Sequence, residues 1–243
     1  SSDLLRRQGR RTAARQQLRS PRQTGVHRAL GSDEAFDGDG RALGEHRLDL
    51  AFVADGTGGL FIADISNRDQ PLFVGSLEIP GSASGLAVRG SLVFVADGQG
   101  LRVVDVAVPA APILLGEIGL SGKPSAVSLE GNLAVVSSLY GGVHVVDLSN
   151  PSQPVRLGST HTRPNQYSGA AGADVRGGLA WVADGGSGLG GLRLVDLRDP
   201  AFPFVVGATN DQFGLTAVKV EGRFALAADY FYPNAVPIFD IGQ

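Results

Sequence analysis

Residues 92–107 read LVFVADGQGLRVVDVA: a hydrophobic run, an Ala-Asp pair, a glycine turn and a second hydrophobic run that ends in aspartate. The same phrase returns four times in altered form. The copies are LAFVADGTGGLFIADIS from Leu50, LAVVSSLYGGVHVVDLS from Leu133, LAWVADGGSGLGGLRLVDLR from Leu179 and FALAADYFYPNAVPIFDIG from Phe224. Self-similarity at this spacing is typical of proteins that are built by repeating one supersecondary unit.

Three kinds of residue keep the copies in register. An aspartate closes the second hydrophobic run, and a proline and a glycine follow it. These markers are Asp64, Asp105, Asp147, Asp196 and Asp240, then Pro71, Pro112, Pro154 and Pro203, then Gly75, Gly116, Gly158 and Gly207. The aspartates lie 41, 42, 49 and 44 residues apart, and the other two series step by the same 41, 42 and 49. Three independent series in one register make a chance pattern implausible.

Each period contains four predicted strands. In the second period they are Ser84–Arg89, Leu92–Ala96, Leu101–Val106 and Pro112–Glu117, bounded by Gly, Pro and Ser. Arg89-Gly90-Ser91, Glu130-Gly131-Asn132 and Glu221-Gly222-Arg223 have the composition of tight hairpin turns, as do Asp97-Gly98 and Asp184-Gly185. The second and third strands are apolar on both faces, which predicts sheets that are covered on both sides. The sequence therefore predicts an all-β fold, a β-propeller of four-stranded antiparallel blades.

About five blades are visible in the repeat, and the first and last are incomplete. Residues 48–243 form the predicted propeller. Residues 1–47 are rich in arginine and contain no convincing strand, which predicts a disordered or loosely packed segment. Two arrangements fit the incomplete blades: a closed ring in which the N-terminal segment pairs unexpectedly, or an arc of a larger propeller. The absence of methionine favours a fragment or a trimmed product.

Composition excludes several classes of partner and site. The net charge of −3 argues against a nucleic-acid-binding protein, although residues 1–30 carry eight arginines against one acidic residue. The absence of cysteine excludes disulfides and thiolate metal sites. No apolar run is long enough for a transmembrane helix, so no membrane insertion is expected. An open arc would expose strand edges, which predicts self-association through those edges.

The phrases LRVVDV (residues 101–106), VHVVDLSNP (143–151) and LRLVDLRDP (192–200) resemble the LVIVD repeat family, as do their companions GSLVFVADGQG and QPVRLGS. The resemblance covers residues 48–243, although Ser137-Ser138 replace the usual Ala-Asp pair. It implies a propeller of the kind found in secreted and cell-surface proteins of bacteria and archaea. It carries no established catalytic residues, so it implies none for this chain.

The recurring carboxylates are interpreted as structural. An aspartate at a strand end, as in Asp147-Leu-Ser-Asn-Pro, can accept hydrogen bonds from the following turn. The Ala-Asp-Gly aspartates, Asp55, Asp97 and Asp184, are read in the same way, together with Asp229. Asp37-Gly-Asp-Gly-Arg lacks the later ligands of a calcium loop, and the four histidines lack metal-ligand spacing. His144 lies inside a strand and is interpreted as a packed or surface residue. No metal or cofactor is therefore expected.

Departures from the repeat are the best candidates for function, because insertions in repeat folds map to loops that often share one face. The longest are 161–172, 185–191 and 229–233, which lie in connections expected at the same rim of the propeller. All four tyrosines of the chain fall in such loops. The predicted binding residues are Tyr140, His161, Arg163, Asn165, Tyr167, Asp211, Phe213, Tyr230 and Tyr232.

Three functions fit this sequence. The favoured hypothesis is a non-catalytic secreted or cell-surface scaffold that binds a protein or a carbohydrate through this rim. The alternative is an enzyme of hydrolase or lyase type at the mouth of the channel, with His161, Arg163 and Asp211 as acid–base and anion-binding groups. The third is a structural spacer. The absence of a recognisable catalytic constellation favours binding.

Overall fold

The computed structural model describes residues 25–27, 49–163, 169–185, 190–209, 214–229 and 236–242. In these residues the secondary structure consists of β-strands grouped into five antiparallel sheets, with no helix among them. Each sheet keeps its strands in chain order, so each is a simple up-and-down blade. The predicted β-propeller architecture is confirmed.

The first three blades contain four strands each. Blade one consists of β1 (Gly25–His27), β2 (Leu50–Ala54), β3 (Leu60–Asp64) and β4 (Leu72–Leu77). Blade two consists of β5 (Gly85–Arg89), β6 (Leu92–Ala96), β7 (Gly100–Asp105) and β8 (Ile113–Gly119). Blade three consists of β9 (Pro124–Glu130), β10 (Leu133–Ser138), β11 (Gly142–Asp147) and β12 (Val155–Thr160).

The last two blades complete the arc. Blade four consists of β13 (Ala170–Arg176), β14 (Leu179–Asp184), β15 (Gly191–Asp196) and β16 (Phe204–Ala208). Blade five, in its described part, consists of β17 (Leu215–Glu221), β18 (Phe224–Asp229) and β19 (Ile238–Asp240).

The hydrophobic core is divided into layers between successive blades. One layer packs Phe52 and Ile62 of blade one against Val95 and Val104 of blade two, and further layers repeat this arrangement up to blade five. Strands such as β6 and β11 are buried on both faces because each lies between two such layers. The two-sided apolar pattern of the second and third strands is thus the direct consequence of blade packing.

Strand β1 differs from the expectation that no strand precedes residue 48. Gly25–His27 pairs antiparallel with β2, in the register Gly25 to Ala54 and His27 to Phe52. It supplies the first strand of blade one, which the repeat had left open. The sequence GVH has no apolar run to reveal it, and its pairing depends on the free edge of β2.

The first strand of each blade lies innermost. Strands β1, β5, β9, β13 and β17 contact one another in succession, so they surround the centre of the arc. Among the described strands, no extensive contact joins blade five to blade one. The described blades therefore form an open arc, with blade one and blade five at its ends.

The outermost strand of each of the first three blades meets the next blade at the marker glycine. A Cβ built on Gly116 would lie 2.8 Å from the backbone of Ser152, in the turn after β11, and closer still to the carbonyl of Pro151. Gly75 and Gly158 meet the corresponding turns of blades two and four in the same way. The glycine of the repeat thus permits a close backbone approach between blades.

The predicted hairpin turns between first and second strands are confirmed at Gly90, Gly131 and Gly222, whose φ angles lie between 54° and 58°. Gly98 has a φ of 80°, as the Asp-Gly pair predicted. Gly185 does not have a positive φ; its N–H instead donates to the carbonyl of Gly169.

Candidate functional site at the loop-bearing rim

Two kinds of loop meet at one end of the arc, which we term the rim. The hairpins between second and third strands bond through the backbone to the connections between blades, as the sequence analysis expected. The contacts are the bridge between Gly56 and Ala83, and the bonds from Gly98 N to Pro124 O (3.0 Å), Leu139 N to Lys123 O (3.1 Å) and Gly185 N to Gly169 O (2.8 Å). Among the described residues, backbone hydrogen bonds therefore join hairpins and connections along the rim of blades one to four.

A buried carboxylate organises the rim of blade four. Asp184, at the end of β14, accepts hydrogen bonds from Thr162 Oγ1 (3.1 Å), Arg163 Nε (2.8 Å) and the backbone N–H of Gly169 (3.1 Å). Arg193 Nε of β15 lies 3.4 Å from the same carboxylate. One side chain thus holds both ends of the inserted connection between blades three and four.

Blade two has the equivalent arrangement without an inserted loop. Asp97 accepts from the N–H groups of Gln99 and Gly100 and from Arg102 Nε at 2.8 Å. Arg102 also reaches Glu117 on the outer strand, at 2.9 Å. The interpretation as a turn residue is confirmed for Asp97, whereas Asp184 accepts hydrogen bonds from the connection between blades three and four. Each of the two carboxylates also pairs with a buried arginine.

Blade three replaces both members of this pair. Ser138 stands at the aspartate position and His144 at the arginine position of β11. Ser138 Oγ donates to the carbonyl of Ser121 at 2.9 Å, and His144 Nε2 lies 3.0 Å from the same oxygen. His144 is fully buried, and burial is the main cause that lowers its pKa. The charged pair is thus exchanged as a unit for a neutral one.

The carboxylates at the opposite end have a different and uniform role. Each accepts a hydrogen bond from the backbone N–H two residues later, at 2.8 to 3.1 Å. They are Asp64, Asp105, Asp147, Asp196 and Asp240. The Ser66 and Ser149 hydroxyls further lower the pKa of Asp64 and Asp147. Their predicted structural role is confirmed.

With this geometry in place, the comparisons with known proteins identify the repeat. The family model described as "LVIVD repeat" matches residues 49–78, 80–118 and 121–162. The chain contains LVIVD repeats. These three matches coincide with blades one to three, without β1, and the same phrase extends the pattern into blades four and five. A sequence comparison with curated proteins finds no match.

Two designed proteins are similar to this chain in structure. The crystal structure of the computationally designed Ika4 protein matches with a TM-score of 0.53 at 15% identity, over 68% of this chain and 94% of that one. The crystal structure of the designed Ika8 protein matches with a TM-score of 0.59 at 16% identity, over 82% of this chain and 57% of that one. At these identities the likeness concerns the fold alone.

Three of the predicted binding residues lie in the described part of the chain. Tyr140, at the tip of the blade-three hairpin, is 61% exposed, and His161 is also exposed. A Cβ on Gly142 would lie 2.8 Å from the His161 Cα, so this residue packs against the same hairpin. Arg163 is partly buried against Asp184. The other six lie outside the described residues: Asn165, Tyr167, Asp211, Phe213, Tyr230 and Tyr232.

Sequence reasoning missed the buried basic side chains. Arg102, His144 and Arg193 each occupy the third position of the third strand of a blade, where the neighbouring residues are apolar. A basic residue that recurs at one register position within a buried strand is the signal that could have revealed them. His144 was expected to be either packed or on the surface, and the structure shows that its side chain is packed.

At the described part of the rim, Tyr140 and His161 expose their side chains, whereas Arg163 is largely buried. Arg163 Nη2 is buried without a hydrogen-bond partner. Within the described residues, no group of three or more His, Asp or Glu side chains could hold a metal ion. No helix in the described part of the chain is long and apolar enough to cross a membrane.

We expect His144 to make the stability of the protein depend on pH. Its pKa is lowered in the folded state, so the unfolded chain takes up the proton first as the pH falls below about 6.5. Arg156 and His161 act in the same direction through their charges. We expect the urea midpoint of the wild type to fall between about pH 7 and pH 5.5, and that of His144→Gln to fall less.

The matched control is His161→Gln, because His161 is exposed and packs against the blade-three hairpin. It should keep most of the pH dependence of the wild type, since burial and not the charge of His161 is the main cause that lowers the pKa of His144. An equal loss of stability with acid in the wild type and in His144→Gln would contradict this role for His144.

Proposed function

We propose that this LVIVD repeat scaffold is a non-catalytic binding protein whose rim holds a protein or a carbohydrate ligand. The observation that carries the proposal is that Asp184 accepts hydrogen bonds from Thr162, Arg163 and Gly169. One buried carboxylate thus holds the described ends of this connection, Thr162–Arg163 and Gly169, at one place on the rim. Binding residues on a rigid scaffold lose less conformational freedom when the ligand binds.

The exposed side chains beside this loop support the same function. Tyr140 and His161 project from neighbouring segments at the tip of blade three. Tyrosine is enriched at binding hot spots because it offers a large amphipathic surface with few rotatable bonds. The enzyme alternative gains nothing from Arg163, since its Nε is committed to Asp184 rather than to an open channel.

A ligand array with two rim variants tests the proposal. The full chain is presented to glycan and protein arrays, and Tyr140→Ala and His161→Ala are compared on the ligands captured. Because the side chains are exposed, the fold should persist, and each variant should lose about tenfold or more in affinity. The control is Phe202→Ala, an exposed aromatic in the turn between β15 and β16, which should bind normally. Unchanged affinity in both rim variants would refute the rim as the binding face.

We also propose that the chain acts outside the cell or at the cell surface, as the resemblance to the LVIVD repeat family implies. Treatment of intact native cells with protease should remove the protein, while a cytoplasmic marker survives. Protection of the protein until the cells are lysed would contradict this location.

A further inference from the structure

Every boundary between two blades joins the same two kinds of surface. The forward surface of a blade carries alternate residues of its second strand, such as Phe52 and Ala54 in blade one. The backward surface of the next blade carries residues such as Val93 and Val95 of β6. The two surfaces form one buried layer at each boundary. In blade two the forward residues are Phe94 and Ala96, again fully buried.

Blade five presents a forward surface that is open. Phe224 and Leu226 of β18 occupy the positions of Leu92 and Phe94, yet they are 43% and 37% exposed. Leu226 pairs with Ile238 of β19, which is 62% exposed on the same surface. These large apolar side chains are grouped on one face. Single exposed apolar side chains are common on protein surfaces, whereas a group of them marks an interaction surface.

The exposure does not come from a loosely attached blade. Ala225 and Ala227 alternate with these residues on β18 and are buried against blade four. Phe239 and Ile241 pack into the same layer. Blade five is therefore firmly docked through its backward surface, while its forward surface is apolar and open.

Blade one has the complementary backward surface. Phe61 of β3 stands where blades two, three and four carry the buried basic residues Arg102, His144 and Arg193. It is partly buried and contacts Phe73, with ring centroids 5.1 Å apart, and Phe73 itself is largely exposed. Val53 pairs with Phe61 on this surface and is partly buried. The end of the arc at blade one is thus apolar as well.

We propose that the forward surface of blade five binds the backward surface of blade one in a second copy of this chain. The repeat indicates the occupant, because a forward surface meets a backward surface at every boundary inside the arc. Among the described blades, these two surfaces are the ones that no neighbouring blade covers. The contact is heterologous, so successive copies assemble head to tail into a larger ring or a filament. It uses blade faces rather than the strand edges considered from sequence, and it is independent of ligand binding at the rim.

The first test is the mass of the full chain in solution. Sedimentation velocity between about 1 and 100 μM, the range in which exposed apolar surfaces associate, should give a mass that rises with concentration. Leu226→Glu and Phe61→Glu each disable one surface, so each variant alone should be monomeric. The control is Phe202→Glu, which adds the same charge at an exposed position away from both surfaces and should associate as the wild type does.

Mixing the two variants decides the geometry. A Leu226→Glu copy keeps its blade-one surface and a Phe61→Glu copy keeps its blade-five surface, so an equimolar mixture should form a one-to-one dimer that cannot extend. A symmetric dimer through blade five alone would leave Phe61→Glu fully associated and would overturn the proposal. A wild type that stays monomeric throughout would overturn it too, as expected if another partner covers these surfaces. Circular dichroism of both variants confirms that the copies being mixed are folded.

Discussion

Replacing Asp97 with serine is expected to lower the free energy of unfolding by about 3 to 5 kcal/mol, the usual cost of removing one partner from a buried ion pair. The Asp97 carboxylate is completely buried, and it bonds to Arg102 Nε at 2.8 Å and to two backbone N–H groups of its own turn. The substitution leaves the Arg102 guanidinium largely buried, with only the exposed Glu117 as a carboxylate partner. Urea unfolding followed by circular dichroism measures the change.

The residues of blade three indicate which second substitution should restore the stability of this variant. There the same two positions hold Ser138 and His144, and both side chains bond to the carbonyl of Ser121. The double variant Asp97→Ser with Arg102→His copies this neutral pair, so we expect it to recover a large part of the stability that the single variant loses. The coupling between two residues in direct contact should then exceed about 1 kcal/mol in a double-mutant cycle.

The control for this cycle is Glu117→Gln. Glu117 is 56% exposed, so its ion pair with Arg102 should contribute less than about 1 kcal/mol. A loss below about 1 kcal/mol in Asp97→Ser would contradict the role of the buried pair. Strictly additive effects in the double variant would contradict the exchange of the pair as a unit.

Most of the fold was predictable because the structure of a blade depends on local sequence patterns. The strand Leu92–Ala96 was predicted with its observed bounds, and the glycine turns at Gly90 and Gly131 follow from short hairpin chemistry. The burial of the second and third strands on both faces followed from the lack of alternation between apolar and polar residues in their sequences. Each of these features depends on a few consecutive residues and on the period.

The features that were missed depend on distant partners. Gly25–His27 becomes a strand only because β2 offers a free edge more than twenty residues away, and its own residues carry no β signal. The contacts of Asp184 with Thr162 and Gly169 require blades three and four to be docked first. The candidate loops stand out in the sequence by their departure from the repeat, whereas the aspartates of the buried pairs look like ordinary turn residues.

A second large effect is expected at the boundary between blades two and three, where Gly116→Ala should destabilise the protein by about 3 kcal/mol, at the upper end for overpacking a close contact. The added Cβ would lie 2.8 Å from backbone atoms of Ser152 and closer still to the carbonyl of Pro151. Backbone cannot rotate away as a side chain could, so the outer strand and the turn must separate. The φ of Gly116 is not positive, so the cost comes from the contact and not from backbone strain.

Gly207 is the matched control, because it occupies the same position of the repeat in blade four. Among the described residues, a Cβ there would meet the Leu194 side chain alone, at the ordinary distance of 3.6 Å. Gly207→Ala should therefore leave stability unchanged or raise it by up to about 1 kcal/mol, since alanine reduces the freedom of the unfolded chain. The urea midpoints of the two variants measure the difference directly. Equal midpoints would mean that the recurring glycine serves strand geometry in general; a loss confined to Gly116→Ala assigns it to the contact between neighbouring blades.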